Sequence, residues 1–381
     1  MICRSGRRAS FGAPAGATPK RRPLPTADPL PAKRVARAAN DLSDRWMANM
    51  LILGGTGWLS REVAAQAVTA GHQVTCLARG STEPAAGARL VIGDRDVPGA
   101  YDDVADDRWD VVVDVSRQPG QVRSAATALR ASLGDHGHWV FVSTGSVYLP
   151  DADRLVGTED DPVRPALEVD EAGIETYGEG KVACELALDE ILGDRRVTVA
   201  RAGLIGGPGD GSDRFGYWPT AFARAAADGQ GPVLVPDVPE LSTQVIDVRD
   251  LATWLLHAGL TGTAGVFDTV GTPTTVGAVL RLCREIAGHT GDVIGRDPEW
   301  LTAQEVGYWS GPKSLPLWLP ADHELAVPRT GDKATAAGLV RRPMTELVAD
   351  VLADEIARGL DRDRGAGLTR ATELELIDVS S

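Results

Sequence analysis

From residue 50 onward, short continuous apolar segments alternate along the chain with segments of helical periodicity. Continuous β-branched segments are typical of strands buried on both faces, and the helices between them are typical of parallel connections. The pattern therefore predicts an α/β fold in which helices cover both faces of a doubly wound parallel sheet. The apolar segments are 50–53, 73–77, 89–92, 110–114, 138–142 and 196–200, and the clearest helical segments are 60–68, 121–133 and 174–192.

Composition excludes several classes of partner. The 381 residues carry a net charge of −14, which argues against nucleic acid because its binding proteins present basic surfaces. No apolar stretch approaches the ~18 residues that a membrane helix needs. The four cysteines lie far apart in the sequence and indicate neither a disulfide framework nor a zinc site. We therefore expect a cytoplasmic protein with no nucleic-acid, membrane or metal partner.

Residues 1–49 differ in kind from the rest of the chain. They hold ten basic and three acidic residues, a net charge of +7, so the other 332 residues carry −21. The segment is rich in Pro and Ala and lacks the apolar core of a secretory signal. We expect a disordered tail, or untranslated sequence upstream of a start at Met47 or Met50, and an Arg-rich transit peptide is the alternative.

A glycine-rich turn follows the first apolar segment and leads into the first helix. Gly54 suits a tight turn, and Gly57 lets the backbone approach a pyrophosphate resting on the helix N-terminal amides. Ser60 occupies the place of a third glycine and is still small enough for close helix–strand packing. This context predicts a Rossmann dinucleotide site, with cofactor contacts from Gly54, Thr56, Gly57, Trp58 and Leu59.

The residues after the second, third and fourth strands indicate which dinucleotide binds. An acidic residue after the second strand would favour NAD, but Arg79 and Ser81 stand there and suit the 2′-phosphate of NADP. Asp94 follows the third strand, facing the adenine, and Ser116 follows the fourth, bordering the pyrophosphate. We predict that NADP is preferred and that NAD remains possible.

These signals divide the chain into parts. We predict a dinucleotide-binding domain over 50–205 and a smaller substrate lobe over 206–360, with segments that return to the Rossmann core. Beyond residue 206 the pattern loosens into Gly- and Pro-rich loops, which supports this division. The charged residues 361–381 are expected to form a peripheral tail.

A tyrosine and a lysine stand four residues apart at the start of a helix. Tyr177 and Lys181 lie on one helix face, and with five Tyr and five Lys in the chain such a pair is improbable by chance. The ammonium would draw the pKa of the phenol toward neutrality, so that it can exchange a proton with a carbonyl or carbinol. Thr144, at the end of the fifth strand, lies at the same edge of the sheet.

The chain resembles the extended or atypical branch of the short-chain dehydrogenase/reductase superfamily, the NAD-dependent epimerase/dehydratase-like proteins, and their bacterial isoflavone-reductase-like members. The resemblance to the branch rests on 54–60, 142–148, the Tyr177/Lys181 pair, 201–209 and 245–252, which occur in family order. The resemblance to the isoflavone-reductase-like members rests on 213–219 and 315–320. It implies that Thr144 orients the substrate oxygen and that Tyr177 is the acid/base. It also implies that Lys181 tunes Tyr177 and holds the nicotinamide ribose, and that a homodimer could form through the helices near 121–133 and 174–192.

Departures from the family pattern narrow the chemistry. Sugar dehydratases of the family carry Asp-Glu after the catalytic threonine, whereas Gly145 and Ser146 follow here. Leu204 and Thr243 stand where nucleotide-sugar epimerases carry an asparagine and an arginine that grip the diphosphate. We therefore expect an oxidoreductase for a small apolar or aromatic metabolite, with a substrate pocket of Tyr148, Leu204, Tyr217, Trp218 and Trp309.

Two other functions remain open from the sequence. Oxidation followed by reduction on the opposite face would make the same site an epimerase of a sugar-like substrate. A non-catalytic dinucleotide-binding sensor would keep the fold without turnover. Each pocket aromatic taken singly is also compatible with ordinary core packing.

Overall fold

The computed structural model describes residues 47–150, 155–320 and 323–379. Residues 1–46 of the basic segment 1–49, which was predicted to be a disordered tail, lie outside the described residues. The predicted disorder of 1–46 therefore stays a prediction. The predicted boundary at residue 49 is too late, because Ala48 is buried and Asn49 begins the first strand.

The helices and strands alternate over the first half of the described chain, as the apolar pattern predicted. The strands are β1 Asn49–Leu53, β2 Gln73–Ala78, β3 Arg89–Ile92, β4 Val111–Asp114, β5 His138–Thr144, β6 Val197–Ala202, β7 Leu204–Gly206, β8 Val233–Pro236, β9 Ser242–Thr243, β10 Val245–Asp247, β11 Gly265–Thr269, β12 Thr274–Thr275, β13 Val293–Arg296, β14 Gly307–Tyr308, β15 Gly311–Pro312, β16 Ser314–Leu315 and β17 Ala366–Gly367. The helices are α1 Trp58–Thr69, α2 Asp102–Ala105, α3 Pro119–Leu129, α4 Tyr177–Leu192, α5 Tyr217–Ala227, α6 Val248–Thr261, α7 Val276–Ile286, α8 Pro298–Ala303, α9 Asp332–Ala336, α10 Met344–Arg358 and α11 Arg370–Asp378, with 3₁₀ turns at Gly145–Val147, Asp194–Arg196 and Glu324–Ala326.

Seven parallel strands of the described chain form the central sheet, in the order β11-β6-β5-β4-β1-β2-β3. The strand order reverses direction between β1 and β4: from β1 the chain first adds β2 and β3 on one side, and then adds β4, β5 and β6 on the other. At this point Leu53 of β1 lies opposite Asp114 of β4. Crevices outside the carboxyl ends of strands at such a reversal are where doubly wound sheets bind ligands. The predicted doubly wound α/β fold is confirmed.

Burial on both faces explains why the strands read as continuous apolar segments. Met50 and Ile52 of β1 pack in one cluster with residues of α1 and α6, and Leu51 and Leu53 pack in another with residues of α3 and α4. Successive side chains of a strand point to opposite faces, so both faces need apolar residues. The two helical layers therefore follow directly from the sequence of the strands.

The smaller lobe has its own core, and residues beyond 361 contribute to it. Its buried cluster draws on α5, α7 and α10, and Leu376 of α11 packs there with an exposure of 5%. The Glu373 carboxylate is fully buried and pairs with Arg370 and Arg224. Residues 361–379 were expected to be peripheral, and this expectation is wrong because their apolar side and a paired carboxylate complete the core of the lobe.

Candidate functional site

The glycine-rich turn links β1 to α1 at the reversal point of the sheet. Gly54 has a φ of 78°, which a residue with a side chain rarely adopts, and its N–H donates to the Leu77 carbonyl at 2.9 Å. The Ser60 hydroxyl donates to the Gly54 carbonyl at 2.5 Å, so the residue in the third-glycine place braces the turn from within. Gly57 precedes α1 without a side-chain cap, as suits a helix end that faces an anion.

A cleft of about 460 Å³ opens beside this turn. Arg79 and Ser81 are exposed on one wall, after β2. The structure brings together seven of the residues predicted to bind the cofactor, although they come from four separate loops: Gly54, Thr56, Gly57, Arg79, Ser81, Asp94 and Ser116.

Trp58 and Leu59 are not among the residues that line the cleft. The Trp58 indole donates to the Pro208 carbonyl at 2.9 Å and so joins the start of α1 to the loop after β7. Leu59 packs against the apolar cluster between α1 and the sheet. Their predicted cofactor contacts stay a prediction, and the backbone amides at the helix N-terminus are the groups available for them.

Arg95 lines the cleft and was missed in the sequence analysis. Its guanidinium makes a two-pronged ion pair with the Asp114 carboxylate, at 2.7 and 2.8 Å, with side-chain exposures of 8% and 0%. Burial lowers the pKa of Arg95, but the pairing with Asp114 outweighs it and raises the pKa above the ordinary value. An aspartate at the end of an apolar strand was the available signal, because a buried carboxylate needs a cationic partner.

Ser116 contributes its backbone as well as its side chain. Its hydroxyl donates to Gln121 at 2.7 Å and accepts from the Gln118 N–H at 3.0 Å. Its carbonyl accepts a hydrogen bond from Lys181 at 2.7 Å. Ser116 therefore connects the wall of the cleft with the helix that carries the predicted acid/base.

Thr144 and Tyr177 meet at the carboxyl edge of the sheet. Thr144 ends β5 and caps the following 3₁₀ turn, its hydroxyl accepting from the Ser146 N–H at 3.2 Å. Burial raises the pKa of Tyr177 above its ordinary value, although a hydrogen bond with Thr144 and the charges of Arg214 and Arg117 act in the opposite direction. The expectation that this pKa is drawn toward neutrality is wrong for the protein alone.

Lys181 lies one helical turn beyond Tyr177, buried to 3% exposure. Its ammonium donates to the carbonyls of Ser116 and Val142, at 2.7 and 2.6 Å, and lies 4.6 Å from the centre of the Phe141 ring. Burial lowers the pKa of Lys181 to about 8. The charges of Arg214 and Arg117 lower the pKa of the Tyr177 phenol. The tuning of Tyr177 by Lys181 stays a prediction.

The structure divides the predicted substrate pocket. Leu204 and Trp309 line a narrow cavity of about 40 Å³ that Gly145 also borders, next to Thr144. Tyr217 and Trp218 are wrong as pocket residues, because both are buried in the core of the smaller lobe, where the Trp218 indole donates to the Pro316 carbonyl at 2.7 Å.

Tyr148 is also wrong as a pocket residue. Its hydroxyl donates to Asp268 at 2.7 Å, and the guanidinium carbons of Arg329 and Arg201 lie 3.4 and 4.8 Å from the centre of its ring. Burial and the Asp268 carboxylate raise the pKa of Tyr148 above its ordinary value. This tyrosine stabilises a buried ionic network and is 2% exposed.

Two broader classes of site can be checked in the described residues. Residues 47–150, 155–320 and 323–379 contain no group of three or more His, Cys, Asp or Glu side chains that could hold a metal ion. Within the same ranges, no helix has the length and apolar character needed to span a membrane.

Comparison with known proteins gives a consistent result. The model of the NAD-dependent epimerase/dehydratase family matches residues 50–267. No curated protein matches the chain with significant similarity.

Solved structures share the fold at low sequence identity. A Burkholderia cenocepacia protein provisionally named an epimerase is 23% identical, with 81% of this chain and 98% of that chain covered and a TM-score of 0.62. UDP-N-acetylglucosamine 4-epimerase from Bacillus cereus is 16% identical, with 84% and 100% covered and a TM-score of 0.59. RMD from Pseudomonas aeruginosa, solved with NADPH, is 19% identical, with 82% and 100% covered and a TM-score of 0.57.

Proposed function

Because the chain belongs to the NAD-dependent epimerase/dehydratase family and is an NAD(P)-dependent enzyme, we propose that it transfers hydride between NADP and a carbonyl or carbinol carbon of a small metabolite. The meeting of Thr144 and Tyr177 beside the cleft carries this proposal. Arg117 links the two features, because it lines the cleft and its charge acts on the Tyr177 phenol. A proton donor and a dinucleotide cleft are thus adjacent.

The residues of the cleft fit a dinucleotide. Gly54 and Gly57 keep side chains out of the turn, and the N-terminus of α1 faces the place of the pyrophosphate. An ammonium has three donors, and the carbonyls of Ser116 and Val142 engage two of those of Lys181. We assign the third to a ribose hydroxyl, in agreement with the role that the family resemblance implies.

Proton transfer is assigned to Tyr177. The bound cofactor supplies or accepts hydride at its nicotinamide ring. The Tyr177 phenol donates a proton to the oxygen of the carbonyl under reduction, and the Thr144 hydroxyl holds that oxygen in place. A phenol whose pKa lies above its ordinary value is protonated at neutral pH and is ready to act as the acid.

The pocket supports an apolar substrate over a nucleotide sugar. Leu204 and Thr243 both line the small cavity beside Gly145. They stand where the family resemblance implies an asparagine and an arginine that bind a diphosphate. Leu317 and Leu319 complete its apolar wall. This composition favours a short apolar group at that position.

A panel of aldehydes and ketones tests the proposed function. The full chain is incubated with NADPH, and oxidation is followed by the loss of absorbance of the reduced nicotinamide. Turnover of at least one carbonyl supports the proposal. Tight NADPH binding without turnover across the panel would favour the dinucleotide sensor, and an epimerised product without net NADPH oxidation would favour the epimerase.

Replacing Arg79 with alanine is expected to weaken NADPH binding by about 10- to 100-fold, with NADH binding unchanged within about twofold, because a charge-assisted contact to the 2′-phosphate is lost. Isothermal titration of both cofactors measures the difference. Arg89→Ala is the matched control, since Arg89 is an exposed arginine paired with Asp107. Equal losses for the two cofactors would contradict the preference for NADP.

The raised pKa of Tyr177 predicts the pH dependence of the reaction. A protonated acid is needed for carbonyl reduction, so kcat/KM for reduction should stay level from about pH 6 to about pH 8, where the Lys181 ammonium also keeps its charge. Carbinol oxidation needs the phenolate and should accelerate as the pH rises over the same interval. A tenfold fall in kcat/KM for reduction per pH unit above neutrality would instead indicate that the pKa of Tyr177 is lowered toward 7.

A further inference from the structure

Arg214 presents a half-buried guanidinium whose charge acts on the phenol of the candidate acid/base. It follows Asp213, which has a φ of 59° in the loop between β7 and α5. The Arg214 Nε donates to the Ser212 hydroxyl at 3.2 Å, and its guanidinium carbon lies 5.3 Å from the centre of the Trp309 ring. These contacts orient the guanidinium without neutralising its charge.

The acids near Arg214 have other partners. The Asp213 carboxylate pairs with Arg362 and Arg364, and the Asp210 carboxylate accepts from the Ser212 N–H and hydroxyl. Among the described residues, no carboxylate lies within 4.0 Å of the Arg214 guanidinium. Burial lowers the pKa of Arg214, with opposing effects from Asp210 and Tyr177. A partly desolvated cation of this kind gains from a bound anion.

Trp309 connects this cation with the small cavity. Its ring packs under Arg214, and the same residue lines the cavity with Leu204, Leu317 and Gly145. Trp309 has a φ of 66°, an uncommon backbone conformation for a bulky residue. Such strain concentrates at binding sites, where the surrounding structure holds it in place.

We propose that Arg214 binds an anionic group of the substrate, a carboxylate or a phosphate, while the apolar part of the same molecule enters the cavity bordered by Trp309. The inference rests on the proposed function and adds the substrate class: short apolar carbonyl or hydroxy compounds that carry an acid group. Arg117, on the cleft side of Tyr177, adds positive charge to the same region.

Binding of unreactive probes tests this inference independently of turnover. The full chain, with NADP⁺ present, is titrated by calorimetry with 3-methylbutanoate, its neutral match 3-methylbutanamide, and 2-methylpropylphosphonate. We expect at least one anion to bind about tenfold or more tightly than the amide, because a charge-assisted hydrogen bond replaces a neutral one. A preference for the carboxylate or for the phosphonate identifies which acid group the site takes.

Two variants and a control assign the preference to Arg214. Arg214→Gln should reduce the preference for the anion over the amide to about twofold or less, and Arg214→Lys should retain part of that preference. Arg281→Gln, at an exposed position of α7, should leave it unchanged. Thermal unfolding of each variant verifies that it is folded.

The outcomes separate this inference from the proposed function. Equal affinity of wild-type protein for the acid and the amide, or an unchanged preference in Arg214→Gln, overturns the anion site even if carbonyl turnover is found. An Arg214-dependent preference supports the anion site even if no carbonyl in the panel is reduced, in which case only the hydride transfer fails.

Discussion

Replacing Tyr177 with phenylalanine is expected to lower carbonyl reduction by about 10²- to 10⁴-fold, the usual contribution of a positioned proton donor. The change removes one hydroxyl from a half-buried side chain next to Thr144 and leaves the glycine turn and Arg79 untouched. NADPH affinity should therefore stay within about twofold of wild type. The loss should fall on kcat, since the proton is transferred in the chemical step.

Steady-state kinetics with a carbonyl found in the panel, combined with NADPH titration, measures both effects. Tyr308→Phe is the matched control, because Tyr308 is 48% exposed in the smaller lobe and loses the same hydroxyl. Activity of Tyr177→Phe near that of wild type would refute the assigned acid. Loss of NADPH binding in parallel with activity would instead indicate that the change damages the cleft.

Replacing Asp114 with asparagine is expected to lower the free energy of unfolding by about 3–5 kcal/mol, because it leaves the buried Arg95 charge without its carboxylate. The Asp114 side chain is fully buried at the end of β4 and also accepts from the Ser116 N–H at 2.9 Å. The same change should loosen the wall of the cleft and weaken NADPH binding.

Urea unfolding measures the difference. Asp107→Asn is the matched control, because the Arg89–Asp107 pair has side-chain exposures of 56% and 46% and should contribute less than about 1 kcal/mol. The double replacement Arg95→Met/Asp114→Val should be closer to wild type than Asp114→Asn, since no unpaired charge remains. A loss below about 1 kcal/mol in Asp114→Asn would contradict the role given to the pair.

The fold was predictable because its signals are local. A strand buried on both faces needs a continuous apolar run, and a helix on a sheet needs one apolar side, so the alternation after residue 50 predicts the layers. The smaller lobe was less predictable. The sequence 366–378 is charged, and its place in the core depends on the burial of Glu373 against Arg224 and Arg370.

The candidate cofactor cleft was largely predictable for the same reason. Each of its loops follows a strand that the sequence identifies, and parallel strands bring their carboxyl ends to one edge. Arg79 and Asp94 could therefore be placed without knowing their contacts. Arg117 and Arg214 were missed because neither stands at a position that a strand end or a catalytic family motif marks, and Arg95 was missed although the buried Asp114 needed a cationic partner.

The pocket aromatics show the opposite case. Tyr148, Tyr217 and Trp218 suit a pocket by type, but whether an aromatic ring faces a cavity or a core depends on which distant elements cover it. Asp268 and two arginines surround Tyr148, and the core of the smaller lobe encloses Tyr217 and Trp218. The predicted homodimer and the preference for NADP stay predictions.

Helical spacing alone placed Tyr177 and Lys181 on one face of a helix, since four residues make about one turn. The charge environment of the phenol depends on packing at long range. The buried Lys181 ammonium donates to the carbonyls of Ser116 and Val142. Arg214, in the loop before α5, adds a positive charge that acts on the Tyr177 phenol. Desolvation and Coulomb energies depend on distances through space, which residue spacing along the chain does not specify.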